Sequence, residues 1–285
     1  MKKKLCRITA LLLAAVLSLG GCGQPGASKK RTDSTQQTEE TKNKKEDQSK
    51  SDKNGPEIDG LTYESTMDLT YATEFDVYDY KDGYKLLDVH EDRQYLVVPE
   101  GKEAPEGLSE DIVVLQQPLD HIYMAATAIM SLLDAVDAID QVKFSGLNAS
   151  GWYVEDAKKA MESGDMIYAG KYSEPDYETL VNGECDLAVE STMILHTPKV
   201  QEMIEDLDIP VFVDYSSYES HPLGRTEWIK LYGAMLNKED AADSFFEKQA
   251  QVIEKLKGFE NTEKTVAYFY VNTDGSIVAV SYTHL

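Results

Sequence analysis

Residues 175–214 read PDYETLVNGECDLAVESTMILHTPKVQEMIEDLDIPVFVD, and their punctuation decides the class of fold. Pro175 stands near the start of a helical pattern that runs to Val181, where Asn182-Gly183-Glu184 interrupts it. Asp186–Val189 is then a short apolar strand, Pro198–Leu207 a second helix, and Val211–Asp214 a second strand. Strands separated by helices of this length predict a parallel sheet covered on both faces.

The same rhythm extends upstream. Asp111–Leu115 reads as a buried strand, and a helical pattern runs from about Asp120 to Ala138. Val142–Phe144 and Met166–Ala169 read as strands around a helix over Val154–Ser163. Before these, Phe75–Tyr80 and Tyr84–Val89 flank Lys81-Asp82-Gly83, a strong hairpin signal, and Gln94–Val98 continues the pairing. Ligands of open parallel sheets bind outside the carboxyl ends of the strands. The loops that matter are therefore Gln116–His121, Ser145–Tyr153, Gly170–Ser173, Glu190–Thr197 and Tyr215–Arg225. Downstream, Thr226 to about Lys257 is helical without proline, either as one long helix or as two broken near Asn237. Thr265–Val271 and Ser276–Val280 then read as strands around the turn Asn272-Thr273-Asp274-Gly275.

Residues 1–22 carry four basic side chains and no acid, then an apolar run from Ile8 to Leu19 that is too short to span a membrane. Leu19-Gly20-Gly21-Cys22 resembles the bacterial lipobox, so Cys22 is expected to be the acylated first residue of the mature protein. Each buried methylene of an acyl chain contributes about 0.8 kcal/mol, enough for a firm anchor when chains are combined. Residues 23–56 are almost wholly polar and should be a disordered tether with a reach of about 30 Å. With Cys6 removed and Cys22 acylated, Cys185 is left alone and reads as a small buried hydrophobe. Beyond residue 56 the chain holds 16 basic and 45 acidic side chains. A surface this acidic repels phosphate backbones, which excludes nucleic-acid partners. No P-loop, G-x-S-x-G elbow or G-x-G-x-x-G opening a helix is present, so no enzyme class and no cofactor is expected.

Two constellations compete for a binding role. His121, His196 and His221 fall in loops expected at one sheet edge with Glu190, a set that would suit Zn or Mn, or else serve as caps and loop polar groups. Tyr123, Trp152, Tyr153, Tyr172, Tyr215 and Tyr218 offer flat apolar faces with polar tips, suited to a large chelate or to padding an interlobe surface. Arg225 stands at the start of a helix, where a cation is poorly placed, so a carboxylate partner or a role in a cleft is expected of it.

The order of elements resembles the iron-chelate and cobalamin class of ABC-transporter substrate-binding proteins, from about Phe75 to the chain end. Pro175–Val189 is similar to that family's "P-hydrophobic-Glu-x-Ile-x-x-x-x-P-Asp-Leu-Val", with Cys185 in place of the usual proline. Leu207–Val213 resembles its "Leu-Gly-Ile-Pro-Val" strand entry, with Asp208 in the glycine position, and Ser131–Val136 resembles its first lobe helix. The resemblance implies an α/β fold: a parallel-sheet lobe covered by helices (57–223), a long backbone helix (224–258) and the incomplete beginning of a second α/β lobe (259–285). About a hundred further residues would be needed to close that lobe. Residues 279–285 match the translation of a common transposase library adapter, so they and His284 are set aside.

The implied function is the extracytoplasmic solute-binding component of an ABC importer. It would be a monomer, lipid-anchored outside the cytoplasmic membrane in a Gram-positive manner or periplasmic. It would capture an iron chelate or siderophore, haem or a cobalamin-like ligand and serve a permease and its ATPase. A free Zn/Mn-binding importer component and a non-transport surface interaction lipoprotein are the alternatives. Ligand-binding candidates are Tyr123, Trp152, Tyr172, Glu190, His196, Tyr215, His221 and Arg225. Family position also makes Glu178 the residue that docks on permease arginines, although a carboxylate in a first helical turn is favoured without any partner.

Overall fold

The computed structural model describes residues 55–90, 92–256, 258, 268–271 and 275–280. The signal segment with Cys22, the tether up to residue 54 and the last five residues lie outside them. The described residues belong to one compact unit, Lys50–Leu285.

The N-terminal sheet has the order β1-β2-β3-β4-β5: β1 (Tyr63–Thr66), β2 (Phe75–Tyr80), β3 (Lys85–Val89), β4 (Gln94–Val98) and β5 (Ile112–Gln116). Its first three pairings are antiparallel and the last parallel. The predicted hairpin forms as expected, with Asp82 at φ 63° closing the turn beside Gly83. Because successive strand residues face opposite sides, Leu87, Val89, Tyr95 and Val97 enter the main core, while Tyr80, Leu86, Leu96 and Val98 build a smaller one with Ile58.

The second sheet is wholly parallel. Its strands are β6 (Ile122–Met124), β7 (Val142–Ser145) and β8 (Ile167–Tyr168), followed by β11 (Leu187–Ser191) and β12 (Val211–Asp214), in the order β12-β11-β6-β7-β8. Helices α1 (Met130–Ala135), α2 (Glu155–Ser163), α3 (Tyr177–Asn182) and α4 (Pro198–Glu205) connect them. A short flap of β9 (Gly170–Lys171) and β10 (Glu174–Pro175) precedes α3. The α/β class with a parallel sheet and covering helices is thus what the chain adopts.

Two expectations need correction. Asp111–Leu115 was read as the first strand of the parallel sheet, but β5 is the edge of the N-terminal sheet, paired with β4. The first parallel strand is β6, inside the stretch read as helix, and helix is confined to α1. Ile122-Tyr123-Met124 is too short to display a period of two, and the good helix formers after it extend the helical pattern backwards.

The stretch after Thr226 takes the broken form. α5 (Pro222–Leu236) ends at Asn237, which adopts φ 56°, and α6 (Glu239–Leu256) begins two residues later. The two fold back on each other: a Cβ at Gly233 would sit 2.7 Å from the Ala242 side chain, and Lys230 lies 5.0 Å from the Phe246 ring. α5 is no external strut, since eleven of its fifteen residues are buried. Residues 224–258 are therefore not one backbone helix. Near the chain end, β13 (Tyr268–Val271) and β14 (Ile277–Val280) pair antiparallel, Tyr268 opposite Val280.

Candidate functional site

The strand order reverses between β6 and β11: the chain winds outward through β7 and β8, then returns to add β11 and β12 on the other side. At that switch point the connections leave in opposite directions and open a crevice above the strands' carboxyl ends. The structure has one there, with a cavity volume of about 460 Å³. Ala125 and Ala126 after β6, Gly146 after β7, Ser191 and Met193 at the end of β11, and Tyr172 of the flap line it. Gly146 lets the β6 and β7 loops meet, because a Cβ there would lie 2.9 Å from the Ala125 Cα. Wider grooves elsewhere, such as the one along Asp88, Asp92, Arg93 and Glu110, have largely charged walls.

Lys171 and Asp214 bring charge to the crevice. Asp214 is buried, and burial pushes its carboxyl above the ordinary range, while bonds from Ser216 and Tyr232 pull it back. The Ser216 hydroxyl donates at 2.6 Å and the Tyr232 hydroxyl at 2.8 Å. Lys171 pairs with Glu174 at 3.1 Å across the exposed flap.

Four of the five loops singled out from the sequence leave the carboxyl ends of strands of the parallel sheet; Gln116–His121 leaves β5 of the other sheet and enters β6 at the amino edge. Of the named residues, Tyr172 lines the crevice. Tyr123 does not: it lies within β6, fully buried, and its hydroxyl donates to the Gly170 carbonyl at 3.0 Å, holding the flap down. Trp152 is also internal, its indole N–H bonded to Ser145 Oγ at 2.9 Å, whereas its neighbour Tyr153 is 98% exposed. Tyr215 is buried and its ring lies 5.4 Å from that of Tyr218, which is exposed. His196 is exposed at the end of the turn after β11. His221 caps α5, its Nδ1 accepting from the Leu223 N–H, and stacks on Tyr71 at 4.6 Å. Arg225 has neither a carboxylate partner among the described residues nor a free side chain. It donates to the carbonyls of Ser217 and Glu219, and these offset the cation at the helix start.

The histidine–carboxylate set is not assembled. His121 precedes β6 and therefore stands at the amino edge of the sheet, away from the loops carrying His196 and His221. Glu190 is fully enclosed in β11, and neither carboxyl oxygen has a hydrogen-bond partner among the described residues. Burial raises its carboxyl from the ordinary 4.5 to about 9. Cys185 is buried as expected, its thiol pushed up to about 12 by burial. Gly146 and Met193 lie in two of the loops singled out from the sequence, though neither was among the ligand-binding candidates, and Ala125 lay in none of those loops.

No family model matches the sequence. The chain is 28% identical over 189 residues, 61% of its length, to a protein of Methanocaldococcus jannaschii named uncharacterized lipoprotein MJ0878, and takes in 44% of that protein. It is 25% identical over 277 residues, 94% of its length, to uncharacterized lipoprotein MJ0872 of the same organism, taking in 66% of it. Among solved structures, the periplasmic heme binding protein HutB of Vibrio cholerae is similar with a TM-score of 0.45 at 19% identity, covering 55% of this chain and 57% of that one. The chain thus spans about half the length of the first of these relatives and of that structure.

Proposed function

We propose that the chain is the lipid-anchored solute-binding component of an ABC importer, held outside the cytoplasmic membrane, and that its cargo is a bulky metal chelate such as a siderophore complex, haem or a cobalamin-like ligand. The observation that carries this reading is the apolar crevice at the switch point with exposed Tyr153, Met193, Leu195 and Tyr218 on the surrounding loops. Most of the walls are alanine, glycine, isoleucine, methionine and tyrosine, which suit an apolar body, with Lys171 and Asp214 as the charged groups. Each 100 Å² of ligand surface removed from water there contributes about 2.5 kcal/mol. The lipobox at Cys22 and the polar tether supply the anchor, and both curated relatives are named lipoproteins. The free Zn/Mn alternative loses support, because its four residues are dispersed.

Fluorescence titration of the full-length protein with haem, a ferric siderophore and cobalamin tests the reading. At least one is expected to bind at about micromolar affinity or tighter. Tyr172→Ala should weaken that binding about fivefold or more. Binding of none of the three by folded protein would defeat the proposal.

Docking is assigned to Glu178. It is exposed in the first turn of α3, whose cap is made by Asp176 accepting from the Thr179 N–H at 3.1 Å. Interface charges set association rate and orientation more than fold stability. Glu178→Lys should therefore leave ligand affinity and melting temperature unchanged while slowing uptake in a salt-dependent way. Wild-type uptake by that variant would remove Glu178 from the interface.

A further inference from the structure

We propose that Asp120, His121 and Asp186 form a divalent transition-metal site at the amino-terminal edge of the parallel sheet, opposite the crevice. β6 and β11 are neighbouring parallel strands, so the residues just ahead of each are brought together. One oxygen of Asp186, Oδ2, accepts the backbone N–H of Asp120 at 2.8 Å and of His121 at 2.9 Å. These two bonds fix the carboxyl group in one orientation. His121 Nδ1 lies 3.2 Å from Asp120 Oδ1, and one ligand atom from each of the three side chains lies within 4.8 Å of the others.

A second observation points to a ligand. The other oxygen, Asp186 Oδ1, is buried and has no hydrogen-bond partner among the described residues. A buried acceptor left unmade is destabilising, more so if charged, and a cation satisfies it without a further donor. Two carboxylate oxygens and one imidazole nitrogen suit Zn²⁺ or Mn²⁺ rather than a soft ion. Ligand atoms held about 2.0–2.2 Å from a shared metal at tetrahedral angles stand about 3.3–3.6 Å apart. The exposed Asp120 and His121 side chains have the freedom to close to that spacing. A metal here would tie together the two strands that flank the switch point. Its role is thus independent of any cargo held at the other edge.

Metal-stripped full-length protein, titrated with Zn²⁺ by calorimetry and with Co²⁺ by visible absorption, tests the site. Wild type should bind one equivalent with a Kd of about 10 µM or below and show Co²⁺ ligand-field bands. His121→Ala and Asp120→Ala should each weaken Zn²⁺ binding about tenfold or more, with unchanged far-ultraviolet dichroism in chelator. His196→Ala and His221→Ala should bind as wild type. Absence of binding by folded wild type, or wild-type affinity in His121→Ala, would overturn the proposal.

Discussion

Glu227→Ala is expected to lower stability by about 3–5 kcal/mol, the range seen when one partner of a buried charged network is removed. The segment around residues 70–74 belongs to no strand, so its backbone N–H groups need acceptors from elsewhere. Glu227, fully buried on α5, takes those of Thr70, Tyr71 and Ala72 at 2.7–3.1 Å. Glu219 takes the next two, Thr73 and Glu74, at 3.0–3.1 Å, and also the Trp228 indole N–H at 3.0 Å. Two side chains thus satisfy five consecutive backbone donors. Truncation at 227 orphans three donors, leaves a void and strips Lys230 of a carboxylate 3.4 Å away. Glu227→Gln keeps the volume but turns an amide N–H₂ towards those donors, so it should recover only part of the loss. Urea denaturation of the three proteins measures this. A Glu227→Ala midpoint equal to wild type would show that the strap adds nothing to the folded state.

Glu190→Gln is expected to act in the opposite direction, stabilising the protein by about 3–4 kcal/mol at pH 7. The carboxyl titrates near its ordinary 4.5 when unfolded and near 9 in the fold, where burial alone raises it. Below about pH 4.5 both states hold the proton and linkage costs nothing. Above that, the unfolded chain ionises while the native chain does not, so stability falls by about 1.4 kcal/mol per pH unit until the native group also titrates near 9. Glutamine keeps the shape and removes the linkage. Its unfolding free energy should be flatter than wild type between pH 5 and 9, with the gap widening as pH rises. A Glu190→Gln protein less stable than wild type at pH 7 would mean the carboxylate is ionised and partnered.

The parallel sheet was legible because its strands and helices are punctuated by Pro175, Asn182-Gly183, Pro198 and Pro210, and the N-terminal hairpin because Asp82-Gly83 marks it. β6 was not legible. Three residues carry too little pattern to outweigh the alanines that follow them, and misplacing that strand put His121 on the wrong edge and Tyr123 in a helical stretch. The aromatic candidates divide between interior and surface for a related reason. Tyr153 and Trp152 are neighbours with identical apparent suitability, yet only a tertiary bond, indole to Ser145, decides which one turns inward. The metal cluster and the strap share that property. Asp120 and Asp186 lie 66 residues apart, and Thr70 and Glu227 lie 157 apart, so no local spacing announces either.

That long separation also sets an order of events. Chains emerge from the ribosome amino end first. The N-terminal antiparallel pairings and the small cluster around Tyr80, Leu86 and Leu96 draw on nearby residues and can form early. The strap just ahead of them cannot be fastened until Glu219 and Glu227 have been made, more than 140 residues later. Closing so long a loop adds little thermodynamic cost, since that cost grows only with the logarithm of length. What the distance imposes is delay. Until both glutamates are made, five adjacent backbone donors wait without their acceptors, and a segment made early is fixed late.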